Sequence, residues 1–123
     1  MILVVEGDET MRLVLRVFLE ECGYKVLVAR DGNEALRMLR MSAPDIKLVL
    51  YDIMLPNIDG VELLHQIKAI DAGVRVILGG EVLDRRARAM LEGSGEVGFL
   101  HKPYTSEEIL GAVRFALGNT IDR

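Results

Sequence analysis

The stretch Leu48 to Gly60, LVLYDIMLPNIDG, constrains this chain more than any other. A run of apolar residues carries one carboxylate, Asp52, to the point where the pattern breaks into Pro56, Asn57, Asp59 and Gly60. A strand that is apolar throughout belongs to a parallel sheet covered on both faces, and ligands on such sheets bind just outside the carboxyl ends of the strands. Asp52 therefore stands where chemistry is expected. The plainer reading is an acid that only opens the following turn, because Asp is a common turn residue. Other stretches of the chain decide between the two.

Taken in order, Ile2 to Val5 is a short apolar strand, followed at once by the acidic turn Glu6, Gly7, Asp8 and Glu9. From Thr10, Met11, Val14, Leu15, Phe18, Leu19 and Cys22 recur at helical spacing, with Gly23 as the stop. Tyr24 to Ala29 reads as a second strand, and its Lys25 suits a sheet edge. Asp31, Gly32 and Asn33 mark a turn into a helix with Ala35, Leu36 and Leu39, which must end before Pro44. After the central strand, Asp59 can cap a helix whose inner face is Leu63, Leu64, Ile67 and Ile70, ending near Gly73. Val74 to Leu78 is a fourth strand, broken by Gly79 and Gly80.

Glu81 to Leu91 then repeats Leu83, Ala87, Met90 and Leu91 on one side of a fourth helix, with Arg85, Arg86 and Arg88 on its solvated faces. Val97 to Leu100 is the fifth strand. His101, Lys102 and Pro103 lead to Thr105 and Glu108, a capping box before Ile109, Ala112, Val113, Ala116 and Leu117. Strand and helix thus alternate about five times, the pattern of a parallel sheet wrapped by helices on both faces with right-handed crossovers. An eight-stranded barrel needs roughly 200 residues or more, so an open, doubly wound sheet is expected.

The 123 residues suit a single domain, 1–123. A net charge of −4 argues against a direct nucleic-acid grip by the chain as a whole. The lone Cys22 cannot form an internal disulfide, no apolar run reaches the roughly 18 residues of a membrane span, and Met1 runs into ILVV without a charged leader. A cytoplasmic setting, with no membrane partner, is the expectation.

In such a sheet the ends of the first, third and fifth strands direct Glu6, Asp8, Asp52 and Lys102 towards one crevice. Two like charges at roughly 4 Å cost about 4 kcal/mol at an effective dielectric near 20, so an acidic cluster needs cations beside it. Lys102 and a magnesium ion could supply them, and magnesium held by carboxylates and phosphate oxygens is a phosphoryl-transfer arrangement. Asp8 has a second role open to it, as a helix cap.

With those residues in place, the chain resembles the receiver domain of two-component response regulators over nearly its full length, through ILVVEGDE, ARDGNEAL, YDIMLPNIDG and FLHKPY. The resemblance implies a flavodoxin-like α/β fold with five parallel strands in the order 2-1-3-4-5. It implies a signalling domain rather than an enzyme. A histidine kinase or phosphotransfer protein would place a phosphoryl group on Asp52, with a downstream protein or output domain reading the result. Glu6 would be an acidic-pocket residue, the Met54 backbone carbonyl would bind Mg2+, and Lys102, joined to Pro103 by a cis bond, would pair with the phosphoryl group. Phe99 would be the switch aromatic, where a plain core role is the alternative.

The departures fall on the working site. Gly7 stands where the family has a second acid that binds the metal directly, and Gly79 stands where it has a Thr or Ser after the fourth strand. Gly7 cannot coordinate anything, although the wider conformational range of glycine could let Asp8 turn inwards. Weakened metal binding is therefore expected. Two rivals follow: a degenerate receiver acting as a phosphorylation-independent interaction module, and a flavin or nucleotide carrier on the same fold. The second lacks a Gly-rich or Ser/Thr-rich phosphate loop after the first strand. His65 and His101 have no metal-ligand spacing and are expected on the surface.

Overall fold

The computed structural model describes residues 1–81, 84–93 and 97–118. Its strands are β1 (Ile2–Val5), β2 (Val26–Ala29), β3 (Leu48–Asp52), β4 (Arg75–Gly80) and β5 (Val97–His101). Between and after them run α1 (Glu9–Glu21), α2 (Gly32–Ser42), α3 (Gly60–Ile70), α4 (Arg85–Gly93) and α5 (Ser106–Ala116). The strands form one parallel sheet in the order β2-β1-β3-β4-β5. This is the expected flavodoxin-like arrangement, with β1 and β3 adjacent and in register from Ile2–Leu48 to Val5–Tyr51.

Side chains alternate across a strand, so each strand feeds two cores. Leu3, Val5, Val49, Tyr51, Val76 and Leu78 pack on one face, against α2 and α3 residues such as Leu36, Leu39, Leu63 and Ile67. Ile2, Val4, Leu48, Leu50, Ile77 and Leu100 pack on the other, against Leu15 and Leu19 of α1 and Ile109 and Val113 of α5. Thr105 and Glu108 form the expected reciprocal capping box, and Asp31, read from the sequence only as a turn residue, caps α2 by accepting from the Glu34 amide at 2.8 Å.

Four expectations need correction. β4 does not break at Gly79 but runs through Gly80, because Gly79 pairs with Asp52 on one side and Leu100 on the other, and ladder partners on both sides outweigh weak local propensity. β2 starts at Val26 rather than Tyr24, whose ring is buried beside α1. On α1, Met11 and Val14 are largely exposed, as are Leu13 and Val17, because the sheet covers a narrower stripe than the apolar residues span. α4 begins at Arg85 rather than Glu81, with the Asp84 carboxylate accepting from the Ala87 amide at 2.8 Å. Ala87 is buried as anticipated; Leu83 and the side chains of Met90 and Leu91 lie outside the described residues.

Candidate functional site

The alternation that fills the second core also builds the site. Ile2, Val4 and Glu6 are spaced by two, as are Leu48, Leu50 and Asp52, and Leu100 and Lys102. One step beyond the buried apolar residues, the same face of the sheet therefore presents two carboxylates and an amine. The ladder holds these steps in place: the Glu6 amide donates to the Ala29 carbonyl at 3.0 Å, Ile53 to Gly79 at 2.9 Å and Lys102 to Gly80 at 2.9 Å. Glu6, Asp52, Lys102 and Tyr104 line a common crevice above Leu15 and Leu50.

Asp52 is held at both oxygens. Its Oδ1 accepts from the Met54 amide at 2.8 Å, and its Oδ2 accepts from Lys102 Nζ. The side chains are 23% and 29% exposed, open enough for a ligand and covered enough for the charges to act on each other. Burial opposes the charge on Lys102, but the Asp52 hydrogen bond, with the negative charges of Asp52 and Glu6, outweighs it and holds the ammonium above the ordinary lysine range. Burial also pushes the nearby Tyr104 phenol up, while Lys102 pulls it back. The Lys102–Pro103 peptide bond is cis.

The loop after β3 is fixed by LPNIDG. Leu55 is buried, Asn57 takes a left-handed backbone with φ 73°, and Asp59 caps α3. Gly60 is required sterically, since a Cβ there would lie 2.5 Å from the Ile53 carbonyl oxygen. The buried Tyr51 hydroxyl donates to the Gly60 carbonyl at 2.7 Å and ties the loop to β3.

Not every predicted residue joins the group. The Asp8 Oδ1 accepts from the Met11 amide at 2.8 Å, so Asp8 caps α1, while its own amide donates to Glu6 Oε2 at 3.2 Å. The cluster of three carboxylates becomes a pair, and among the described residues no group of three His, Cys, Asp or Glu side chains is gathered to hold a metal. Glu6 and Asp52 still suit magnesium, which is commonly held by one or two carboxylates with waters and phosphate oxygens. Gly7 is exposed, and an added Cβ would meet only the Arg30 carbonyl, at 3.7 Å. At Gly79 a Cβ would make ordinary contacts with Lys102 Cε at 3.8 Å and with the Leu100 and Tyr51 carbonyls at 3.9 Å. Phe99 is half-buried, in register with Leu78 and packed on the first core. His65 and His101 are exposed.

One contact was not foreseen. Arg86 of α4 donates to Asp59 Oδ2 at 2.5 Å, across a cleft of about 570 Å³ that Asp52, Met54, Glu81 and Lys102 also line. The hydrogen bond from Arg86 holds the Asp59 carboxyl below the usual range. The arginine run was the signal available, but its spacing gave no partner.

Known proteins fit this geometry. The family described as response regulator receiver domain matches residues 2–114. The response regulator MprA of Mycolicibacterium vanbaalenii is 34% identical over 121 residues, which cover 97% of this chain and 51% of that protein, so the chain spans about half the length of that relative. A receiver domain protein from Clostridium thermocellum superposes with a TM-score of 0.84 at 27% identity, covering 95% of this chain and 93% of the other. A Borrelia burgdorferi chain from a CheX-CheY-BeF3-Mg complex shares the fold, with a TM-score of 0.84 at 24% identity, covering 94% of this chain and 87% of its own. By its family match, its strand order and its paired Asp52 and Lys102, this chain belongs to the response regulator receiver domains of two-component signalling.

Proposed function

We propose that this receiver domain accepts a phosphoryl group on Asp52 from a histidine kinase or phosphotransfer protein. The observation that carries the reading is Asp52 itself, held by the Met54 amide and Lys102 at the carboxyl edge of the sheet with Glu6 beside it. An Asp52 carboxylate oxygen attacks phosphorus, a new P–O bond forms, and the bond to the donor's leaving atom breaks with its electron pair going to the donor. Lys102 is placed to neutralise a phosphoryl oxygen as charge arrives. Glu6, Asp52 and the Met54 carbonyl would hold Mg2+, which when bound supplies further neutralisation of the phosphoryl oxygens. Gly7 leaves that site short of one ligand, so metal binding is weaker than a third carboxylate would give.

The test is intact mass spectrometry after incubation with magnesium and a small acyl phosphate. One added phosphoryl group that is absent in Asp52→Asn supports the reading. No addition under any magnesium concentration overturns it in favour of a phosphorylation-independent interaction module.

The downstream partner, a separate protein or an output domain, reads the face made by α4, β5 and α5, the side of the sheet on which Arg86 of α4 and Lys102 after β5 line the cleft beside Asp52. Chemical-shift mapping with a partner checks this. Perturbations confined to α1, whose exposed Met11, Leu13, Val14 and Val17 offer the competing surface, would contradict it.

A further inference from the structure

The cleft beside Asp52 contains more charge than the Asp52–Lys102 pair accounts for. Among the described residues lining it, the acids are Asp52, Asp59, Glu81 and Asp84, and the cations are Lys102 and Arg86. Lys102 is committed to Asp52. Arg86 is committed to Asp59, an acid whose Oδ1 caps α3 by accepting from the Val61 amide and whose Oδ2 takes the guanidinium. Both members of this second pair are well exposed, at 64% for Arg86 and 48% for Asp59, so water screens their attraction and the partners exchange readily.

A phosphoryl group on Asp52 would bring on the order of two negative charges into this cleft. Arginine's planar fork of donors matches phosphate oxygens in pairs, and it binds them more strongly than it binds a solvated carboxylate. Gly79 leaves that group without a side-chain hydroxyl donor from β4, so an extra cationic donor has a vacant role to fill.

We propose that Arg86 is a phosphoryl-binding residue of this domain: it is held in waiting by Asp59 at the cleft mouth and transfers to the phosphoryl oxygens when Asp52 is modified. The transfer releases the tie between α4 and the start of α3. It therefore couples the modification to α4 without a hydroxyl at position 79. This inference rests on the phosphoryl-acceptor reading of Asp52.

The test is a titration with beryllofluoride, a phosphoryl mimic, in the presence of magnesium, followed by fluorine NMR on the parent, Arg86→Gln, Asp59→Asn and the double variant. Asn caps a helix as well as Asp does, so α3 keeps its start. Arg86→Gln should weaken binding about tenfold, the scale of one charge-assisted hydrogen bond. Asp59→Asn frees the guanidinium and should tighten binding, and the double variant should match Arg86→Gln alone.

A purely structural pair gives the two single variants the same sign, and simple charge bookkeeping makes the double variant additive. Either result, or no change in Arg86→Gln, overturns the role of Arg86 and leaves Asp52 as acceptor untouched. A parent that binds no beryllofluoride overturns both.

Discussion

Lys102 Nζ donates to Asp52 Oδ2 although the two residues stand 50 positions apart in the chain. β4 lies between their two strands, so β3, β4 and β5 have to be in register for that contact to exist, and it reports on that half of the carboxyl edge of the sheet. Burial alone would depress the Lys102 ammonium, yet Asp52 and Glu6 raise it above the ordinary value of 10.5. A folded value above the unfolded one means the pair's contribution to stability is complete below the ordinary lysine range and is lost as pH rises through the folded value. Stability from this pair should therefore be flat through neutrality. In Asp52→Asn the burial remains while the hydrogen bond and charge go, so Lys102 should titrate at lower pH than in the parent. Heteronuclear NMR of the lysine side chain measures this, and an unchanged titration would mean the pair does not form in solution.

Tyr51→Phe should cost about 0.5–1.5 kcal/mol, the net worth of one intramolecular hydrogen bond, because the Gly60 carbonyl at the start of α3 keeps its helical role. Tyr51 is 2% exposed, and its hydroxyl reaches the Gly60 carbonyl at 2.7 Å. Gly60→Ala should cost more, because the added Cβ meets backbone at 2.5 Å rather than a side chain that can turn away. Urea unfolding of both variants gives the ranking. If Gly60→Ala is as stable as the parent, the close approach of the LPNIDG turn to Ile53 is not rigid.

Gly79→Thr should be tolerated and stabilising by about 0.5–1 kcal/mol, because glycine inside a strand loses backbone entropy on folding and a β-branched residue suits the pleat. The contacts waiting at 3.8–3.9 Å are ordinary van der Waals distances for the added Cβ. Gly80→Ala is the control: its Cβ would lie 3.1 Å from Ile53 Cγ2, and it should gain less or lose stability. Equilibrium unfolding decides between them. A Gly79→Thr protein less stable than Gly80→Ala would show that position 79 is tighter than its neighbours indicate.

Features carried by a strong local pattern were legible in the chain. The apolar run before Asp52, the Thr105 and Glu108 box and the acid at the end of β1 each declared an element and its end, and alternation then fixed which face Glu6, Asp52 and Lys102 share. What the sequence misdirected lay where neighbours outrank local preference. Gly79 and Gly80 look like a break but are held by ladders on both sides. Asp8 had two roles open, and the free amides at the start of α1 take it. The Asp59–Arg86 bond joins residues 27 apart through the packing of α4, which no periodicity encodes.

Gly7→Asp should strengthen magnesium binding at the expense of the metal-free protein. Position 7 is exposed and its nearest obstacle to a Cβ is the Arg30 carbonyl at 3.7 Å, so the added Cβ fits without rearrangement. Magnesium demands oxygen ligands near 2.0–2.1 Å, roughly, in octahedral geometry, and with Asp8 capping α1 the carboxylates that the described residues gather in the crevice are Glu6 and Asp52. A third carboxylate adds like-charge repulsion in the metal-free crevice, so without magnesium the variant should unfold at a lower temperature than the parent. Binding to the folded state then restores stability by mass action, about 2.7 kcal/mol when magnesium is 100 times its Kd. The measurement is the unfolding temperature of both proteins against magnesium concentration, where the variant should start lower and rise more steeply. A variant whose magnesium-dependent rise is no larger than the parent's would place position 7 away from the metal site.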